Sequence, residues 1–175
     1  VNIEALPLKT NCNIVQGNAC RVDWNVVCPH TKEEEVFIMG NPPYLGSSLQ
    51  EPSHKSDMEF VFTTINGWKK LDYISCWFYL GSKYCNNTYT KYAFVSTNSI
   101  CQGEQVSLLW DPILKLDQSI YFAVTSFKWS NNAKSQAAVL VAVWLFIFIK
   151  GMFYREENVL DICTDSFIFL VISFR

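Results

Sequence analysis

Four consecutive residues, Asn41, Pro42, Pro43 and Tyr44, follow an apolar segment and carry groups suited to one chemistry. The amino group on an adenine ring is a poor nucleophile because its lone pair is delocalised into the ring. The side-chain oxygen of Asn41 and the carbonyl of Pro42 can accept its two hydrogens, and the prolines stiffen the loop so that both acceptors are preorganised. The ring of Tyr44 offers a flat face for a base rotated out of a duplex. This pattern predicts a loop that activates an amino group toward a methyl donor.

The same four residues also fit a simple turn, because Asn-Pro dipeptides commonly form turns after strands. Two histidines, His30 and His54, are the other candidates for proton transfer. Proton loss in this chemistry can follow methyl transfer, so neither histidine is assigned a role. The seven cysteines are odd in number and contain no C-x-x-C pair, so neither a zinc site nor a disulfide framework is expected.

Apolar runs bounded by turn residues predict the strands that would position this loop. Strands are expected over residues 13–16, 36–39, 92–97, 119–126 and 137–143. The second of these runs ends directly at the candidate loop. Such short apolar runs are typical of strands that are buried in a sheet.

Helical spacing of apolar residues predicts a helix over residues 71–84, with Asp72 in its first turn, where the helix dipole favours an acid. Residues 99–102 form a possible capping box that opens a second helix. Pro112 is expected to kink or shorten that helix, because proline removes a backbone donor and clashes with the preceding turn.

The alternation of strands and helices predicts an α/β domain with a largely parallel sheet. Ligands bind such sheets beyond the carboxyl ends of the strands. Asn18 and Asn41 both follow predicted strands, so both are expected at that edge.

Composition indicates one packed domain rather than a disordered chain. The 175 residues are 50% hydrophobic and 17% charged, with a net charge of −2. A self-sufficient DNA-binding surface usually shows a basic excess, so DNA affinity would need another segment. The start of the chain lacks a basic region followed by an apolar stretch, and the apolar run over residues 137–149 is shorter than the ~20 residues of a membrane-spanning helix. A reducing cytoplasm is expected, and a membrane association is not.

Several stretches resemble the amino-methyltransferases of the adenine-N6 type, and more closely the methyltransferase part of type IIG restriction-modification fusions of the MmeI-like kind. The resemblance runs in the family's order over about residues 5 to 143. The stretches that carry it are Ile14 to Ala19 with Asp23-Trp24, Gly40-Asn41-Pro42-Pro43-Tyr44-Leu45-Gly46, Leu71-Asp72-Tyr73, Ala93 to Gln105, and Phe127 to Lys134.

This resemblance implies S-adenosyl-L-methionine as the methyl donor and adenine in double-stranded DNA as the acceptor. The matching positions are Asn41, Pro42, Pro43 and Tyr44 for the catalytic loop, Asn18 and Ala19 for cofactor binding, and Phe127 and Trp129 for the flipped-base pocket. Simpler interpretations remain for two of these groups, since asparagine often ends a strand in a turn and large aromatic residues usually pack in a core.

The resemblance also implies a partial Rossmann-like class I methyltransferase sheet that lacks its first strands. None of the seven glycines falls in a G-x-G arrangement, so the cofactor-binding segment of the family is expected upstream. The resemblance also implies a downstream target-recognition domain. A partial catalytic domain is therefore assigned to residues 1–143. Without its usual neighbours, the strand over residues 36–39 should expose an edge, and the chain alone should bind the cofactor poorly.

Residues 144–175 have no recognised counterpart. Extra strands, a membrane-associated hairpin and a tail read out of frame are the alternatives, and the last is favoured because the pattern stops abruptly while apolar content rises. Two rival functions also remain. One is a methyltransferase acting on a protein glutamine or on RNA, whose families carry similar loops. The other is a non-catalytic remnant.

Overall fold

The computed structural model describes residues 15–123 together with the backbone of residues 147–148 and 169–171. This part of the chain mixes helices with short strands, as the alternating pattern predicted. The helices are α1 (Trp24–Val27), α2 (Pro52–Val61), α3 (Ser75–Tyr84) and α4 (Asp111–Leu114), with 3-10 helices at Ser47–Leu49, Trp68–Lys70 and Asn98–Cys101 and a π-helix at Val106–Trp110. The strands are β1 (Phe37–Gly40), β2 (Lys91–Phe94), β3 (Ile120–Phe122), β4 (Ile147–Phe148) and β5 (Phe169–Val171).

Strands β2, β1 and β5 form a parallel sheet in that order. Ile38 in the middle of β1 is opposite Tyr92 on one side and Leu170 on the other, and its side chain is fully buried. The expectation that this strand would expose an edge is wrong, because β5 supplies hydrogen-bonding groups on the side that would otherwise be open. A second, antiparallel pair joins β3 to β4.

Helix α3 and strand β2 lie in the hydrophobic core, which also includes residues of α1, β1 and α2. Phe78 of α3 is fully buried and makes edge contacts with Phe94, Trp110 and Tyr92, with ring centroids 5.4, 5.6 and 6.3 Å away. Burying a side chain of this size contributes about 1.5–3 kcal/mol. Gly81 permits the close approach, since a Cβ atom there would lie 3.1 Å from the Tyr92 ring. This packing fixes where β2 ends, next to the end of β1.

The predicted helix over residues 71–84 begins later, at Ser75. Leu71 is extended, with φ −77° and ψ 146°, and the Tyr73 backbone N–H donates to the carbonyl of Leu45 at 2.8 Å. Asp72 therefore lies before the helix rather than in its first turn. Contacts with a distant loop hold these residues out of the helix, and the apolar spacing along the chain does not report them.

Helix α2 has no counterpart among the predicted elements. Its start was nevertheless visible in the sequence, because Pro52 occupies the first helical turn and Glu51 pairs with His54 in a capping box. The helix was not predicted because its apolar residues show little helical periodicity. It carries Asp57, whose role is described below.

The segment after β2 also differs from its prediction. Residues 99–102 do not form a capping box, because Ser99 lies inside the 3-10 helix Asn98–Cys101 and its hydroxyl donates to Asp72. A π-helix over Val106–Trp110 directly precedes α4, in which Pro112 sits in the first turn. Because proline cannot donate a backbone hydrogen bond, the wider π-helical turn accommodates Pro112. This is the helix distortion predicted from the position of Pro112.

Two strand predictions are corrected or shortened. Val15 and Gln16 are exposed and lie in no strand, so the strand predicted over residues 13–16 is wrong at these two residues. Residues 13 and 14 lie outside the described residues. The strand expected over residues 119–126 is observed as β3, whereas the strand expected over residues 137–143 lies outside the described residues. No helix within the described residues has the length and apolar character needed to cross a membrane.

Candidate functional site

The loop Asn41-Pro42-Pro43-Tyr44 leaves the carboxyl end of β1, as expected. The Gly40 carbonyl at the end of that strand accepts a hydrogen bond from the Val95 N–H at 3.0 Å, which ties it to the residue after β2. The Asn41 side chain is exposed, Pro42 is buried and Pro43 is exposed. A buried proline fixes the backbone beside an amide that remains accessible to a ligand.

Tyr44 is half-buried and its hydroxyl donates to the side-chain oxygen of Asn41 at 2.9 Å. The tertiary structure thus brings two of the predicted site residues into direct contact. The Asn41 oxygen has two lone pairs, so one remains for another donor. The arrangement presents an acceptor and an aromatic ring side by side.

The downstream end of this loop is held by hydrogen bonds from several directions. The Leu45 carbonyl accepts from the Tyr73 N–H at 2.8 Å and from the Gln50 side chain at 3.4 Å. The Asp72 carboxylate accepts from the Ser47 N–H at 3.3 Å. The loop is therefore fixed at both ends, which is the condition for preorganised acceptors.

Asn18 forms a second polar centre. Its side-chain oxygen accepts from the Cys20 N–H at 2.9 Å, and its amide nitrogen donates to Asp57 at 2.7 Å. The Asn18 carbonyl accepts from Arg21 and Val22, so the chain turns here, and the neighbouring Ala19 is buried. Asn18 does not follow a described strand, but its amide is held in one orientation.

Asp57 organises this second centre. Its carboxylate is buried and accepts hydrogen bonds from Asn18, from Arg21 at 2.6 Å and from the Tyr73 hydroxyl at 2.8 Å. Burial raises the pKa of the Asp57 carboxyl, but the bonds from Asn18, Arg21 and Tyr73 lower it more, so the net pKa lies below its ordinary value. The carboxylate is therefore ionised at neutral pH and favours donors around it.

Tyr73 connects the two centres. Its backbone N–H binds the loop through Leu45, while its hydroxyl binds Asp57, which in turn binds Asn18. Burial raises the pKa of the Tyr73 phenol well above its usual value, with Cys20 and Asp57 adding to the rise, so the phenol keeps its proton and donates. The block Leu71-Asp72-Tyr73 was recognisable in the sequence, but the bridging role of its tyrosine was not.

The remaining predicted residues are placed as follows. Phe127 and Trp129 lie outside the described residues. His54 contributes to the cap of α2 and packs on the Tyr73 ring with centroids 4.7 Å apart, and His30 packs on Tyr84 at 4.4 Å. Neither histidine contacts the Asn41 loop through a hydrogen bond in the described part of the chain.

Three comparisons relate the chain to known proteins. The profile described as MmeI, DNA-methyltransferase domain, matches residues 1–155. The chain is 55% identical over 138 residues to DNA methyltransferase A of Bacillus subtilis (strain 168), and the match spans 79% of this chain and 16% of that protein. A solved structure of the type IIL restriction-modification enzyme MmeI in complex with DNA is 40% identical, with a TM-score of 0.67, and the match covers 82% of this chain and 18% of that one.

The match to the family extends over most of the chain, and the two relatives agree with it in sequence and in fold. Strands β1 and β2 and the loop after β1 lie within the matched residues. The chain therefore belongs to the MmeI DNA-methyltransferase domain family.

Proposed function

We propose that this chain carries the methyl-transfer site of an adenine-N6 DNA methyltransferase. One observation carries the proposal: Asn41 is exposed at the carboxyl end of parallel strand β1, followed by a buried proline and by a tyrosine whose hydroxyl donates to its side-chain oxygen. In this arrangement the Asn41 oxygen and the Pro42 carbonyl accept the two amino hydrogens of adenine. The nitrogen lone pair is then drawn out of the ring and toward the methyl donor.

Tyr44 supplies the surface against which a flipped base stacks, and we assign Phe127 and Trp129 to the same pocket. A base in a duplex must leave the stack to reach Asn41, and stacking on an aromatic ring offsets part of that cost. The solved relative was studied in complex with DNA, which supports DNA as the substrate class. The proton released from the amino group leaves after methyl transfer, so no general base is required in the site.

S-adenosyl-L-methionine is the methyl donor that we propose. Asn18 suits its adenine part, because the amide keeps one hydrogen and one lone pair free after its bonds to Asp57 and Cys20. We assign the neighbouring Ala19, which is small and buried, to the same cofactor contact. Residues for the methionine part are not evident, since no G-x-G occurs in the sequence. We therefore propose that residues 1–143 form a partial catalytic domain with a Rossmann-like sheet, which works with a cofactor-binding segment and a target-recognition domain outside them.

The cellular setting that we propose is the cytoplasm, as part of a restriction-modification system. Cys28, Cys76 and Cys85 are buried free thiols, which is the usual state of cysteines in a reducing compartment. Burial raises the pKa of the Cys76 and Cys85 thiols, so neither is a reactive thiolate.

A chimera tests the function directly. The matching segment of the Bacillus subtilis relative, 138 residues long, is replaced by this chain's residues, and transfer of labelled methyl groups to duplex DNA is followed by nucleoside analysis. Asn41→Ala should lower kcat by about 100-fold or more, because it removes a preorganised acceptor. Asn66→Ala, an exposed loop asparagine elsewhere in the domain, should leave kcat unchanged. Full activity of Asn41→Ala contradicts the proposal, and label in RNA or protein instead of N6-methyladenine favours the rival substrates.

A further inference from the structure

Asp72 is a buried carboxylate that lies directly behind the Asn41 loop. Its residue is 6% exposed and precedes α3, and its two oxygens contact different segments of the chain. One oxygen accepts from the Ser47 N–H at 3.3 Å, and the other accepts from the Ser99 hydroxyl at 2.5 Å. Within residues 15–123, no lysine or arginine forms an ion pair with it. A buried polar group left without its hydrogen-bond partners costs free energy, so the partners of this carboxyl group are held in place.

These two contacts join the ends of neighbouring strands. Ser47 begins the 3-10 helix that terminates the Asn41 loop, whereas Ser99 lies in the 3-10 helix that follows β2. The Ser99 hydroxyl also lies 2.6 Å from the Thr97 hydroxyl, which extends the connection toward the strand. The sheet itself joins only the upstream end of the loop, through Gly40 and Val95. Asp72 therefore links the downstream end to the same neighbouring strand.

The backbone around Asp72 strengthens this link. Its own N–H donates to the side chain of Gln105 at 3.1 Å, and its carbonyl accepts from the Ser75 N–H at 3.0 Å at the start of α3. Because these backbone bonds fix the main chain of Asp72 and its side chain is short, the two carboxyl oxygens are held in fixed positions. An alanine would leave the Ser47 donor and the Ser99 hydroxyl without their partner.

We propose that Asp72 is a positioning residue for the catalytic loop. It holds the loop after β1 against the segment after β2, so that the Asn41 and Pro42 acceptors stay aligned with the amino group. This inference rests on the proposed methyl transfer and adds to it a residue that contacts neither base nor cofactor. Misplacing catalytic acceptors by about 1 Å can cost on the order of 100-fold in rate, so the effect belongs to kcat rather than to cofactor binding.

The test uses the same chimera. The kcat is measured with DNA and S-adenosyl-L-methionine both saturating, and the KM is measured by varying the concentration of S-adenosyl-L-methionine. Asp72→Ala should lower kcat by about 10- to 100-fold and leave the KM for S-adenosyl-L-methionine within about twofold of the parent value. Asp72→Asn keeps an acceptor for the Ser47 N–H, and its amide can donate to the Ser99 hydroxyl, so it should recover most of the rate. Tyr84→Phe removes a buried hydrogen bond to Cys28 at the other end of α3 and should lower thermal stability without changing kcat.

Ser99→Ala gives an answer even if Asp72→Ala fails to fold, because it removes only the link to the segment after β2. We expect a several-fold fall in kcat for Ser99→Ala. In the double variant Ser99→Ala, Asp72→Asn, the fold-loss in kcat should be smaller than the product of the losses in the two single variants, because both changes affect the same hydrogen bond. Unchanged kcat in Ser99→Ala overturns the inference, and so does unchanged kcat in an Asp72→Ala variant that folds. The proposed function fails separately, through an active Asn41→Ala.

Discussion

The hydroxyl of Tyr44 donates to the side-chain oxygen of Asn41 at 2.9 Å. The acceptor that the proposed chemistry requires is thus already engaged by its own neighbour before any base arrives. The same contact holds the tyrosine ring beside the amide. Tyr44 consequently has two opposing effects, since its ring favours an incoming base while its hydroxyl competes for one lone pair of Asn41.

Replacing Tyr44 by phenylalanine separates these effects. Tyr44→Phe keeps the aromatic face and frees the Asn41 oxygen, and an exposed hydrogen bond contributes about 0.5–1.5 kcal/mol. The chimera carrying Tyr44→Phe should therefore match or exceed the parent kcat/KM for DNA by up to several-fold. Tyr44→Ala removes the ring and should lose at least about 10-fold, because stacking on one base contributes about 1–3 kcal/mol. Equal losses in both variants would show that the hydroxyl itself takes part in the reaction.

Asp57 should control cofactor affinity rather than turnover. Its carboxylate accepts from the Asn18 amide at 2.7 Å and so fixes which way that amide faces. Asp57→Asn places an amide where three donors converge. The KM for S-adenosyl-L-methionine should therefore rise by about 10-fold, which is the effect expected from losing one hydrogen bond to a charged group. Measured at saturating cofactor, kcat should change little. A fall in kcat with unchanged KM would assign Asp57 to the loop instead.

The same carboxylate should make stability depend on acid pH. Because the net pKa of Asp57 in the folded chain lies below its ordinary value of 3.8, its contribution is complete above that value and is lost as pH falls through the folded pKa. The difference in free energy of unfolding between the parent chain and Asp57→Asn should be constant at neutral pH. It should shrink below about pH 4 when urea unfolding is repeated across pH. A difference that grows in acid would contradict this assignment.

Gly81 tests the packing that fixes the end of β2. Alanine is favoured over glycine in a helix by about 1 kcal/mol, but a Cβ atom at this position would meet the buried Tyr92 ring at 3.1 Å and Phe94 at 3.3 Å. Overpacking a rigid core costs about 1–3 kcal/mol, so Gly81→Ala should lower the free energy of unfolding on balance. Chemical denaturation measures this change, and a net stabilisation would mean that the two rings move aside at little cost.

Local patterns determined much of the fold and the core of the candidate site. The apolar run before Asn41 predicted a strand ending at the loop, and β1 ends at Gly40 as expected. The proline at position 112 predicted a distorted helix, and a π-helix precedes it. These features follow from side-chain shape and backbone chemistry within a few residues, which a sequence displays directly.

The tertiary structure alone decided how the site is supported. Asp57 and Tyr73 are 16 residues apart, and Asp72 and Ser99 are 27 apart, yet each pair forms a hydrogen bond that fixes part of the site. Periodicity placed Asp72 inside a helix, because apolar spacing does not register the long-range bonds of Asp72 and Tyr73, which lie before the helix begins at Ser75. The edge of β1 was expected to be open, but a strand 132 residues further along the chain pairs with it in register, from Phe37 opposite Phe169 onward. Such contacts depend on which distant groups can satisfy a buried charge or a free strand edge, and only the folded chain brings those groups together.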